Sequence, residues 1–145
     1  MDRVRALGRE ERGALVVEFA MIVPILFFIV FGIVDFGRAY FTMNSLATAV
    51  REGARYGAVL ETPDVAPAPA QIRQRVKDFA LMFGGDSLRD ADITSTLNNS
   101  PGASTLTVTA RYTFRPITPL FRMVGRDSIS MQQTAVFRWE WDPQP

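Results

Sequence analysis

The sequence predicts an α+β fold in which a long N-terminal transmembrane helix extends into a small exported domain, with a second short helix and an antiparallel sheet of about three strands. Three observations support this prediction. An apolar segment occupies residues 14–34, an apolar repeat at helical spacing follows it, and the C-terminal half alternates apolar and polar residues. The expected division is a leader at residues 1–13, a transmembrane helix at 14–35 and the exported domain at 36–145.

The apolar segment reads ALVVEFAMIVPILFFIVFGIV, and Glu18 is its only charged residue. At about 1.5 Å per residue it forms a helix about 31 Å long, which is enough to cross the hydrocarbon core of a bilayer. A carboxylate costs about 2.5–3.5 kcal/mol at the centre of such a helix and less near its end. Glu18 therefore either meets a partner within the membrane or extends toward the nearer headgroups.

The charges that flank this segment predict its orientation. Residues 1–13 contain four arginines, whereas residues 35–44 contain only Arg38. The excess of positive charge predicts a cytoplasmic N-terminus and an exported C-terminal part. A small-x-small sequence at residues 47–49 lies too far beyond Val34 for a signal peptidase site, so we expect no cleavage there.

Composition excludes several classes of function. The net charge is +1, from 16 basic and 15 acidic residues, and no basic stripe follows the leader, so no nucleic-acid partner is expected. The chain contains neither cysteine nor histidine, which removes disulfides, thiol nucleophiles, Cys/His zinc sites and histidine-based catalysis. We therefore predict a protein that is not an enzyme and has no cofactor.

Two stretches carry a family resemblance. The first stretch is residues 12–40, with the sequence RGALVVEFAMIVPILFFIVFGIVDFGRAY. It resembles the N-terminus of type IV pilin-like proteins, and most closely that of the TadE-like minor pilins or pseudopilins of the tight-adherence (Flp) pilus system. The later GRAYFTMNSLATAVREGARYGA is also similar to the TadE pattern, and the similarity covers roughly residues 8–58. Major Flp pilins are much shorter and commonly carry Glu-Tyr, whereas this chain has Glu18-Phe19 and a sizeable C-terminal domain.

The resemblance implies a function and a set of site residues. In type IV pilins a prepilin peptidase cuts after the glycine that ends the leader, and a glutamate stands fifth in the mature chain. Gly13, Ala14 and Glu18 match these positions, and Glu18 would then meet the new α-amino group of a neighbouring subunit. The implied protein is a minor pilin or pseudopilin of the bacterial inner membrane, needed for assembly of a Tad/Flp-type adhesive pilus, whose partners are the prepilin peptidase, other pilins and the assembly platform.

Gly13 fits this function physically, because glycine disfavours helix and allows the chain to unwind locally. The peptide bond before Ala14 can then enter a protease site. The alternative is an uncleaved single-pass anchor that displays a periplasmic or extracellular binding domain. That alternative gives Gly13 no task and leaves Glu18 at the headgroups.

Beyond the membrane, an apolar repeat predicts that the helix continues to about Val59 and packs against its own domain, with packing against another subunit as the alternative. The repeat consists of Phe36, Tyr40, Met43, Ala47, Val50 and Ala54. Asp35 and Arg38 are three residues apart and are expected to pair. The charged residues of the following segment, Arg51, Glu52 and Arg55, are expected to form a solvated face.

In the exported domain, residues 61–70 read as an extended connector, and a short amphipathic helix begins at Ala70. Strands are predicted at 93–97, 105–115 and 128–141. An acidic cluster, Asp86, Asp90 and Asp92, lacks the spacing of a calcium loop and is expected to be a solvated turn. The C-terminal tryptophans, Trp139 and Trp141, are expected to pack on the sheet, with a partner-binding patch as the alternative.

Overall fold

The computed structural model describes residues 2–61, 68–80, 88–100, 104–118, 121 and 125–140, with side chains from residue 13 onward. Helix α1 spans Asp2–Gly57 and helix α2 spans Ala70–Ala80. A short 3₁₀ turn at Asp90–Asp92 leads into three strands, which are β1 (Ile93–Asn98), β2 (Thr105–Phe114) and β3 (Ile129–Arg138). This arrangement confirms the predicted α+β fold.

Helix α1 dominates the molecule. Its 56 residues give a length of about 84 Å, and Pro24 lies inside it. The helix ends at Gly57, close to the predicted end, and the chain then turns so that Leu60 N donates to Gly57 O at 3.1 Å. From residue 13 to residue 34, α1 is mostly solvent-exposed in the isolated chain, and the part from Asp35 onward packs on the C-terminal domain.

The three strands form an antiparallel sheet in the order β1-β2-β3. Leu106 of β2 lies opposite Leu97 of β1 and Phe137 of β3, which fixes the register of both pairs. The inner face packs against α1 and α2, and its fully buried side chains are Ile93, Ser95, Leu106, Val108 and Ala110. The outer face is polar: the Thr109 and Thr134 hydroxyls lie 3.0 Å apart, and Arg111 Nε donates to Gln132 Oε1 at 3.0 Å.

The face of α1 that packs on the domain differs from the predicted one. Phe36, Tyr40 and Met43 are 72%, 63% and 49% exposed, so the first half of the predicted apolar repeat does not contact the domain. The buried face instead contains polar residues and glycines that a search for apolar side chains passes over. Its members are Asp35, Thr42, Leu46, Ala49, Val50, Gly53, Ala54 and Gly57.

Two glycines on this face allow close packing. A Cβ atom at Gly53 would overlap Cγ2 of Val76 on α2. At Gly57 it would lie 2.5 Å from Leu106 Cδ2 of the sheet and 2.7 Å from Ile72 Cδ1 of α2. Both distances are far shorter than the roughly 3.5–4.0 Å of a normal carbon–carbon contact. The glycines therefore set how closely α1 approaches its neighbours.

The end of β3 is attached to the end of α1. Trp139 Nε1 donates to Leu60 O at 2.8 Å, and Glu140 N donates to Ala58 O at 3.1 Å. Trp139 is partly buried, as expected for packing on the domain. Trp141 and the C-terminal tail lie outside the described residues.

Candidate functional site

The three predicted site residues, Gly13, Ala14 and Glu18, all lie on the exposed surface of α1. The helix passes through Gly13 without interruption in the isolated chain, and opening of the peptide before Ala14 in a protease site stays a prediction. The reason for the uninterrupted helix is energetic: one glycine costs a helix about 1 kcal/mol relative to alanine, which a helix that continues on both sides can absorb. A Cβ at Gly13 would meet nothing within 4 Å, so no packing contact among the described residues requires glycine.

Glu18 lies one helical turn after Ala14 and is surrounded by exposed apolar side chains. Leu15, Phe19 and Ile22 are 64%, 68% and 55% exposed. Residues four apart project from the same side of a helix, so the Glu18 carboxylate lies on the Ala14 side. Within the described part of the chain, this carboxylate has no hydrogen bond or ion pair.

The helix around Glu18 is long and apolar enough to cross a membrane. The other side chains along it are mostly exposed, including Ile25, Phe28, Ile29 and Ile33, and none of the most apolar window is buried by the domain. Phe27 and Phe31 stack on its surface with ring centroids 5.7 Å apart. A surface of this size without cover in the isolated chain is consistent with membrane anchoring.

Where the apolar segment ends, a buried carboxylate joins α1 to the segment after β2. Asp35 is fully buried, its Oδ1 accepts from Ile117 N at 3.1 Å, and its Oδ2 accepts from Thr118 N at 3.1 Å and from the Thr118 hydroxyl. Arg38 Nη1 lies 3.6 Å from Asp35 Oδ1, and its guanidinium lies 5.3 Å from the ring centroid of Phe114. We call these five residues the Asp35 junction.

The sequence predicted only half of the Asp35 junction. The i,i+3 pair of Asp35 and Arg38 is confirmed. The bonds to Ile117 and Thr118 were missed, because they join positions more than 80 residues apart. The sequence did contain one signal, an acidic residue at the edge of a long apolar run. A carboxylate at that position needs hydrogen-bond partners if another part of the chain buries it.

A second polar contact joins α1 to α2. Glu52 accepts from Arg55 at 2.6 Å and 3.0 Å on its own helix, and from Arg75 Nη2 on α2 at 3.0 Å. The Arg75 guanidinium also lies 5.0 Å from the Phe79 ring centroid and 5.9 Å from that of Tyr56. Arg55 is exposed as predicted, but Glu52 is only 18% exposed and connects two helices, so the prediction of a solvated face is wrong for this residue.

The Glu52 contact predicts a dependence of stability on pH. Hydrogen bonds from Arg55, supported by Arg75, lower the pKa of Glu52 from 4.5 to about 2. Because the pKa is lower in the folded state, the contribution of Glu52 is complete above about pH 4.5 and is lost as the pH falls toward 2. We therefore expect the difference in unfolding free energy between wild type and Glu52→Gln to shrink between pH 6 and pH 2.

Urea unfolding of the full chain in detergent micelles, followed by tryptophan fluorescence, would measure this difference. Glu140→Gln is the matched control, because Glu140 is exposed and has no ion pair among the described residues. A difference for Glu52→Gln that is the same at both pH values would contradict the prediction.

The acidic cluster contributes ion pairs. Asp90 contacts Lys77 and lies 3.8 Å from Arg73 Nε, so it attaches the 3₁₀ turn to α2 and is not simply a solvated turn. Asp92 lies 3.9 Å from Arg89 Nε, and Asp86 lies outside the described residues. In the described part of the chain, no group of three or more His, Cys, Asp or Glu side chains is placed to hold a metal ion.

Residues 13–55 match the model of the TadE-like protein family. The match covers 43 of the 145 residues, and over this segment the chain is similar to TadE-like proteins. The match includes Glu18 and its exposed apolar neighbours, Asp35 and Arg38 of the Asp35 junction, and Glu52 and Gly53 of the contact between α1 and α2. No curated protein and no solved structure matches the chain.

The matched segment ends just before α1 does, so α2 and the sheet lie outside it.

Proposed function

We propose that this chain is a TadE-like protein, a minor pilin or pseudopilin needed for assembly of a Tad/Flp-type adhesive pilus. In this proposal α1 crosses the bacterial inner membrane with its N-terminus in the cytoplasm, where the four leader arginines lie. A prepilin peptidase cuts between Gly13 and Ala14, and the domain from residue 36 onward is exported. The protein acts through contacts with other pilins and the assembly platform, without catalysis and without nucleic acid.

The observation that supports this proposal best is the Glu18 carboxylate, which lies on an exposed apolar helix and has no partner among the described side chains. A charge in an apolar environment is unfavourable unless an opposite charge neutralises it. Cleavage before Ala14 creates such a charge, because the new α-amino group stands at the membrane end of each neighbouring copy. Pairing between Glu18 and this group fixes the axial register of adjacent subunits, and it requires that the leader be removed first.

Cleavage also changes the charge of the whole chain. The leader carries four of the 16 basic residues and three of the 15 acidic residues, so the mature chain keeps 12 of each. The arginines that hold the N-terminus in the cytoplasm are thereby removed. After cleavage, the free α-amino group and Glu18 are the charged groups at the cytoplasmic end of the span.

The alternative function is an uncleaved single-pass anchor that displays a binding domain. One observation favours it, which is that α1 continues through Gly13 without a break. In that case the leader stays attached, and Glu18 contacts headgroups at the cytoplasmic surface.

A single experiment separates the two functions. The chain is expressed with and without the prepilin peptidase, and the mass of the membrane-extracted protein is measured. We expect loss of residues 1–13 only in cells that contain the peptidase. In the same cells, Glu18→Ala is expected to be processed and inserted normally but to yield few or no pili, whereas Glu18→Asp retains the charge and should assemble better.

An intact N-terminus in peptidase-containing cells would contradict the cleavage proposal and support the uncleaved anchor. A Glu18→Ala variant that is processed and also makes pili in normal number would contradict the assembly role of Glu18. Leu15→Ala, on the same exposed surface, is the control for a side chain shortened without loss of charge.

A further inference from the structure

The Asp35 junction holds an exposed apolar side chain at the level where α1 leaves its apolar segment. Ile117 N is hydrogen-bonded to Asp35 Oδ1 at 3.1 Å, so the backbone of Ile117 is fixed beside the end of this segment. The Ile117 side chain is nevertheless 72% exposed, one of the two highest values among the large apolar residues of the described chain. An isoleucine side chain exposed to water is unfavourable, and the backbone hydrogen bond to Asp35 holds this residue at the surface.

The same level of α1 carries exposed aromatic residues. Phe36 and Tyr40 are 72% and 63% exposed, and Phe41 is 51% exposed. Tyr40 lies five residues after Asp35, which is about 7.5 Å along the helix. The interfacial layer of a bilayer is about 5–8 Å thick on each side, and aromatic side chains are enriched there. These residues therefore continue the apolar surface of the span into that layer.

Positive charge is present beside these apolar groups. Arg38 belongs to the junction and its side chain is 43% exposed, and Arg115 is exposed two residues before Ile117. The only acidic partner of Arg38 among the described residues is Asp35, which is buried. Apolar side chains with neighbouring arginines form a surface that suits anionic headgroups above an acyl layer.

We propose that the Asp35 junction is a membrane-docking surface, on which Ile117 enters the outer face of the bilayer beside α1 while Arg38 and Arg115 contact anionic headgroups. The exported domain then contacts the membrane at two places, the helix and the segment after β2. This inference rests on the proposed insertion of α1 into a membrane, and it does not depend on cleavage or on pilus assembly.

The absence of cysteine in the chain allows a direct test with single spin labels. The full chain carrying Ile117→Cys is labelled and reconstituted into vesicles of phosphatidylcholine and phosphatidylglycerol. Accessibility to oxygen, which concentrates in lipid, is compared with accessibility to a water-soluble nickel chelate. Two matched variants, Val30→Cys in the apolar segment and Val136→Cys on the outer face of the sheet, report lipid and water, since both side chains are exposed in the isolated chain.

We expect the label at residue 117 to favour oxygen over the chelate, as at residue 30, and the label at residue 136 to show the reverse. A label at residue 117 that is as open to the chelate as residue 136 would overturn the inference. A label protected from both reagents would also overturn it, because a second copy or another protein would then cover the surface. A label at residue 30 open to the chelate would contradict the insertion of α1 itself, so the two failures are distinguishable.

Discussion

Replacing Asp35 with alanine is expected to lower the unfolding free energy of the C-terminal domain by about 3–5 kcal/mol, because three hydrogen-bond donors lose their acceptor. The substitution leaves the N–H groups of Ile117 and Thr118, and the Thr118 hydroxyl, without their acceptor. Each buried donor left unsatisfied costs about 1–3 kcal/mol. Arg38 is partly exposed and can be solvated, so we expect the loss to come mainly from the donors.

Urea unfolding of the full chain in detergent micelles measures this effect, with tryptophan fluorescence as the signal. Trp139 is suited to this purpose, because it is hydrogen-bonded to Leu60 only while the domain is packed on α1. Asp78→Ala is the matched control, since Asp78 is an exposed carboxylate whose hydrogen bond is to Gln74 on the same helix. Equal urea midpoints for Asp35→Ala and Asp78→Ala would show that the junction does not stabilise the domain.

The substitution Gly53→Ala is expected to destabilise the contact between α1 and α2. The new methyl group overlaps Cγ2 of Val76, and a valine in a helix has one strongly preferred rotamer, so it cannot simply turn aside. Overpacking of this kind costs about 1–3 kcal/mol. The gain in helix propensity of about 1 kcal/mol offsets part of this cost, so we expect a net loss.

A second substitution separates the steric effect from other causes. Val76→Ala removes the overlapping atom, so the double variant Gly53→Ala/Val76→Ala should lose less stability than the sum of the two single variants. Gly37→Ala is the control, because a Cβ at Gly37 meets nothing within 4 Å and only the propensity gain remains. A Gly53→Ala variant as stable as Gly37→Ala would refute the close-packing interpretation.

Local sequence patterns were enough to predict the elements of the fold. Alternation along 105–115 predicted β2, which the structure places at Thr105–Phe114, and the apolar run with its helical continuation predicted most of α1. Both patterns arise from residues close together in the chain, where the period of the side chains identifies the element. The fold class therefore followed from the sequence alone.

The contacts between elements could not be predicted in the same way. Glu52 and Arg75 are 23 residues apart, and Asp35 and Thr118 are 83 apart, so no local period links them. The packed face of α1 was predicted wrongly because Gly53 contributes by having no side chain, a property that hydrophobic periodicity does not measure. Of the candidate site, the apolar surroundings of Glu18 could be read from the sequence and its role stays a prediction, whereas the Asp35 junction required the tertiary structure.

The C-terminal half of α1 is attached to its domain at both ends. Asp35 is bonded to Ile117 and Thr118 at one end, and the hydrogen bond from Glu140 N to Ala58 O closes the other. The two attachments are separated by 23 residues of helix, or about 35 Å. A force along the helix axis therefore acts on both attachments at once, and it loads each of them in shear. The helix and the domain therefore move together as one rigid unit when either is pulled.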